Sequence, residues 1–179
     1  MEDNVDEGDE SERRFLDLCD TVDDILRHTP PEANRLLAIY SRFEYALKKR
    51  SRINENDRRT YAEDNNGQVR ILLTDYVRDV VADDFLDRMQ AFENERYVAT
   101  QPAKRWTVGD GWLDHAPVTD NISLFKAVRQ IRNNLFHGNK FRMLTDEGHE
   151  RDIKLLQGSA SILLRAVQED ETLYNDFIQ

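Results

Sequence analysis

Apolar residues recur at three- and four-residue intervals over most of the chain, which is the spacing of amphipathic helices and not of strands. From Phe15 to Leu26 they fall at 15, 16, 18, 19, 22, 25 and 26, and His28-Thr29-Pro30-Pro31 then ends the pattern. A second helix is predicted from near Glu32, with Thr29 as its N-cap and the prolines at its entrance. Leu36, Leu37, Ile39, Tyr40, Phe43, Ala46 and Leu47 make its apolar face, and Lys48-Lys49-Arg50 place positive charge in the last turn, where the helix dipole favours it. Residues 51–67 are polar, contain Asn65-Asn66-Gly67 and read as a loop. A third helix is predicted over about 68–92, where Val69, Leu72, Leu73, Tyr76, Val77, Val80, Val81, Phe85, Leu86, Met89 and Phe92 keep the helical period.

The period is lost between Glu93 and Asn121, and Pro102, Trp106, Gly109, Gly111, Trp112 and Pro117 punctuate the gap. Residues 93–120 therefore read as an irregular insertion, of a length that usually carries function or marks a family-specific addition. Its two tryptophans either plug the core or stack on a base, and core packing is the first reading. A fourth helix starts near Asp120, a candidate N-cap, buries Ile122, Leu124, Phe125, Val128, Ile131, Leu135 and Phe136, and stops at Gly138. A fifth runs from about Glu147 through Val167, followed by a short closing turn with Leu173, Tyr174 and Phe177. No strand is predicted. The expected fold is an all-α bundle of about five helices with an irregular insertion before the fourth.

Charge changes this picture at one end only. The net charge is -10, but residues 1–12 hold seven acids and no base, which leaves 28 acids against 25 bases in the remainder. The expectation is an acidic disordered tail over 1–12 and a single helical domain over 13–179. A nearly neutral body argues against a protein that coats duplexes and leaves room for a local nucleic-acid site. No run is long and apolar enough for a membrane span, and the first residues lack the order of a secretory signal, so a cytoplasmic location without membrane contact is expected. The lone Cys19 lies among apolar positions and reads as a buried structural thiol.

The candidate chemistry sits at the end of the fourth helix, in Arg132-Asn133-Asn134-Leu135-Phe136-His137-Gly138. Two adjacent asparagines are poor helix formers, so a side-chain role is suggested. At 100° per residue Asn133 and His137 share a face, whereas Arg132 and His137 are about 140° apart, and they converge only through the reach of the arginine or through a second copy across a dimer axis. Transesterification of RNA needs a proton taken from a 2′-hydroxyl, a proton given to a 5′-oxygen, and a partner for the charge on phosphorus. Histidine serves the first two near neutral pH, and a guanidinium holds two phosphate oxygens at once. No carboxylate cluster with metal-ligand spacing accompanies the motif, and His28, His115 and His149 are scattered, so neither a metal nor another cofactor is expected.

Arg-x4-His with a polar residue directly after the arginine, near the end of a helix in an all-α domain of this size, resembles the HEPN family. Tyr40-Ser41-Arg42-Phe43-Glu44-Tyr45-Ala46-Leu47-Lys48 and Arg-Asn-Asn-Leu-Phe-His-Gly look like one of its bacterial, toxin-like branches. The resemblance covers about residues 32–168. It implies a helical bundle that dimerises, brings two such motifs into one cleft and cleaves RNA without metal, as a toxin or antiphage effector often encoded beside a nucleotidyltransferase-type antitoxin. It gives Arg132 and His137 catalytic roles and makes Asn133 the polar neighbour. Asn134, Lys140, Arg142 and Arg42 are weaker candidates for RNA contact.

Plainer readings stand beside these. Arg132 pairs with Asp120 or with an acid on a neighbouring helix, and His137 caps the helix; Arg42 and Glu44 form a buried ion pair or support the active site. The alternative function is a non-catalytic HEPN-like module that binds a partner protein or a nucleotide, and a third is an antitoxin-like neutralising protein.

Overall fold

A computed structural model of the chain describes residues 13, 15–20, 23, 27, 29–51, 76–78, 80–107, 111–114, 116–136 and 146–179. The chain divides into two compact units, Met1–Pro30 and Pro31–Gln179. In the first, residues 13, 15–20, 23 and 27 have helical backbone, as the apolar spacing predicts. Phe15, Leu16 and Leu18 are exposed on it, and Cys19 is half-buried rather than buried. The acidic stretch 1–12 lies outside the described residues.

The second unit is an all-α bundle. Its elements are α1 (Pro31–Ser51), α2 (Phe85–Met89), α3 (Glu93–Thr100), a small hairpin of β1 (Arg105–Thr107) and β2 (Gly111–Leu113), α4 (Asn121–Phe136), α5 (Asp146–Glu169) and α6 (Glu171–Ile178). Pro31 opens α1, where its missing N–H costs nothing and its fixed φ suits the helix. Ala33, Leu36, Tyr40, Phe43 and Leu47, three or four residues apart, are all buried along it. α5 lies at the centre, packed against α1, α3, α4 and α6. Asp170 starts α6, its carboxylate accepting the backbone N–H groups of Thr172 and Leu173.

Aromatic side chains join the remaining elements. Phe43 of α1 stacks on Phe125 of α4 with ring centroids 6.3 Å apart, and Phe125 meets Phe85 of α2 at 5.8 Å. Tyr76, in a helical turn over 76–78, packs edge-on to Phe43 at 5.7 Å and donates its hydroxyl hydrogen to the Ala166 carbonyl of α5 at 2.9 Å. Burial of such rings supplies much of a small domain's stability, and the buried hydroxyl keeps a partner.

Two sequence expectations are corrected. The helix predicted over 68–92 is not continuous: residues 68–75 lie outside the described residues, the chain turns at 80–84, and helix resumes at Phe85. The cause is distant in sequence. The Asn121 side chain accepts the Leu86 N–H at 2.9 Å and donates to the Ala82 carbonyl at 2.8 Å, so a residue at the start of α4 holds the turn open. Val77, Val81, Phe85, Leu86 and Met89 are buried on both sides of the break, which is why the period survives it.

The segment 93–120 is not irregular throughout. It holds α3 and an antiparallel hairpin in which Trp106 pairs with Trp112 across the strands. The side chains of the two tryptophans lie outside the described residues. α3 escapes the sequence pattern because one of its buried positions is Glu95, which accepts hydrogen bonds from Ser161 and Arg165 of α5. The Arg165 guanidinium also lies 3.6 Å from the centre of the Phe92 ring, so charge and burial are reconciled on the spot.

The crossing of α3 over α5 is set by Gly158. A Cβ at that position would stand 2.2 Å from the Asn94 carbonyl oxygen and 2.8 Å from a Val98 methyl. In an open helix, replacing glycine by alanine stabilises by about 1 kcal/mol. Here overpacking, of about 1–3 kcal/mol, opposes it and wins because the obstacle is backbone. Gly158→Ala should therefore lower the melting temperature by several degrees in thermal denaturation, where an open site would give a rise.

Candidate active site around Arg132

α4 places the motif arginine, and its start is firmly fixed. Asp120 caps it: the carboxylate accepts the Ser123 N–H at 2.6 Å, and the Ser123 hydroxyl in turn accepts the N–H groups of Thr119 and Asp120. The bonds from Ser123 hold the Asp120 carboxyl below its ordinary pKa, with nearby Lys126 adding to the effect. Asp120 is thus the N-cap the sequence suggests, and it is not the acid that meets Arg132.

That acid is Glu44 of α1. Arg132 Nη2 lies 3.7 Å from Glu44 Oε1, with about a quarter of the arginine side chain and a sixth of the glutamate exposed. Arg132 Nη1 donates to Asn133 Oδ1 at 3.1 Å, and the guanidinium carbon sits 5.0 Å from the centre of the Tyr40 ring. Glu44, Asn133 and Tyr40 all contact this one guanidinium. Asn133, half-buried, holds the arginine from the next position along the helix.

Tyr40 carries the electrostatic signature of the site. Its phenol is pushed up to about 12, first by burial and then by the Glu44 carboxylate, against the lowering influence of Arg132 and Arg129. The ring is almost fully buried and stays neutral, which preserves its negative face for the cation. The sequence offers Glu44 only together with Arg42, as an ion pair or as support for the site, and gives Tyr40 no role of its own. The spacing of four between Tyr40 and Glu44 puts them one turn apart on α1, a signal that acquires meaning once α1 is known to pack beside α4.

The other candidates are dispersed. Asn134 is buried, donates to the Lys104 carbonyl at 2.8 Å and accepts from Gln130 at 2.8 Å, so its amide ties α4 to the segment ahead of the hairpin. Beside it Ala103, Ile131, Leu135 and Leu156 border a cavity of about 20 Å³, room for a water but not for a base. Arg42 donates from Nε and Nη2 to the Phe177 carbonyl at 3.0 and 2.7 Å, and stacks over Tyr45 at 5.3 Å. It satisfies the end of α6 and forms no pair with Glu44, since two residues of separation put their side chains on opposite sides of α1. His137, Gly138, Lys140 and Arg142 lie outside the described residues, as do His28 and His115 and the side chain of His149. Among the described residues no three His, Cys, Asp or Glu side chains are grouped to hold a metal ion, and no helix is long and apolar enough to cross a membrane.

Compared with protein-family models, with curated proteins and with solved structures, the chain matches none.

The raised phenol has a consequence for stability. A group whose folded pKa exceeds its unfolded value stabilises fully below the unfolded value and loses that contribution as pH rises through the folded one. For Tyr40 the window runs from about 10 to about 12. The urea midpoint should fall across this window, and Tyr40→Phe, with no proton to lose, should show a shallower fall.

Proposed function

We propose that this chain is a metal-independent endoribonuclease of the HEPN type, acting in the cytoplasm as a homodimer and serving as a toxin or antiphage effector. The observation that carries the reading is the held guanidinium: Arg132, partly exposed in the last turns of α4, is oriented by Glu44, Asn133 and Tyr40 five residues ahead of His137. A catalytic arginine has to be pre-positioned, because every torsion left free lowers the fraction of time it meets the transition state. At 3.7 Å the Glu44 contact is loose for an ion pair, and the fork of the guanidinium matches phosphate oxygens in pairs.

In this reading Arg132 neutralises the charge that develops on phosphorus, Asn133 keeps its fork in register, and His137 moves the proton between the 2′-hydroxyl and the 5′-oxygen. Two motifs meet across the dimer axis, and a nucleotidyltransferase-type protein is the antitoxin to look for beside it. Lys140 and Arg142, close in sequence to His137, are assigned to RNA contact.

One observation favours a second reading. The Arg132–Glu44 pair joins α1 to α4 within one subunit, as an ordinary interhelical salt bridge does. In this second reading the chain is a non-catalytic HEPN-like module for a partner protein or nucleotide.

Incubation with single-stranded RNA in EDTA separates the two. Cleavage leaving cyclic phosphate ends is expected, with His137→Ala and Arg132→Ala each lowering the rate about 10²–10⁴-fold while moving the melting temperature by no more than a few degrees. Absence of cleavage, a requirement for metal, or full activity in either variant would remove the nuclease assignment.

A further inference from the structure

Three cations lie along α4, at Lys126, Arg129 and Arg132. At 100° per residue Lys126, Arg129 and Asn133 fall within about 60° of one another, and Arg132 lies about 60° beyond Arg129. The first is exposed and the other three are half-buried. They form a basic stripe beside the Tyr40–Glu44 edge of α1.

Two acids are recorded beside this stripe among the described residues. Glu44 stands against Arg132, and Asp120 feels Lys126. Among the described residues Arg129 has no carboxylate within ion-pair distance, although it is half-buried and near enough to Tyr40 to act on its phenol. A guanidinium that is partly withdrawn from water, one turn from a second guanidinium and with no carboxylate beside it among the described residues, is unfavourable twice over. An anion at its exposed edge removes both costs. A charge repeated at each turn of a helix suits a polyanion whose own charges repeat, and the planar fork of arginine matches phosphate oxygens in pairs.

We propose that Arg129 holds a backbone phosphate of a single-stranded nucleic acid, next to the phosphate at Arg132, so that the strand runs along the exposed side of α4 toward Lys126. The site shares its substrate class with the nuclease reading and rests on that reading only for this; it requires no cleavage. Arg129 is a binding residue here, and Lys126 a weaker one because its side chain is exposed and held by less of the fold.

The test is fluorescence anisotropy with the full chain and a short fluorescein-labelled oligoribonucleotide whose 2′-hydroxyls are methylated, which 2′-hydroxyl chemistry cannot cut. Arg129→Gln should weaken binding about tenfold and flatten the plot of log affinity against log salt by about one unit, as loss of one phosphate contact does. Arg129→Lys, which keeps the charge, should retain the slope. An unchanged affinity and slope in Arg129→Gln, no binding by the unaltered protein, or equal binding of polyglutamate at matched charge would overturn the proposal. If the oligonucleotide binds with this dependence but RNA is never cut, the catalytic assignment falls and the phosphate site stands. If RNA is cut and Arg129→Gln binds normally, the reverse holds.

Discussion

The contact between α1 and α4 sets the geometry of the candidate site. Phe43 and Phe125 stack across it in the core, and Phe125 is two turns before Arg132 on the same helix, while Glu44 follows Phe43 directly on α1. A hydrophobic contact thereby sets the separation of two polar groups nearer the surface. Tyr40, one turn earlier on α1, belongs to both: its ring is buried with the core and lies under the guanidinium. A cavity-forming change at Phe43 or Phe125 acts on Arg132 through this geometry without touching it.

Charge is placed unevenly in the bundle. Where a buried acid occurs, at Glu95, the neighbouring helix supplies both a hydroxyl and a guanidinium, so the group is satisfied inside the fold. Arg88 likewise meets Asp84 and Glu169. Along α4 the balance differs: among the described residues Glu44 faces Arg132, and no carboxylate stands within ion-pair distance of Arg129. Among the described residues of this edge, cations outnumber the carboxylates paired with them. The net charge of the whole chain hides this, because most of its excess of acid is carried by residues 1–12.

Helical periodicity predicts α1, α4 and α5 to within a few residues, and the Asp120 cap and the entry proline of α1 are recognisable before any coordinates are known. It misleads where the same spacing runs through a turn, at 80–84, since the pattern records which residues face the core and not whether the backbone between them is continuous. It is silent for α3, where Glu95 is buried because of two residues more than sixty positions away. The hairpin is missed for another reason: three-residue strands are too short to display alternation.

The sequence alone determines the class of fold and the composition of the candidate motif, because helical burial repeats locally and because Arg132, Asn133 and His137 lie within six consecutive positions. Which acid faces Arg132, that Asn134 and Arg42 serve the fold, and that Tyr40 supports a guanidinium were decided by tertiary packing. Each depends on two helices meeting at a particular rotation. That rotation follows from the summed fit of many apolar side chains, which no local stretch of the chain contains.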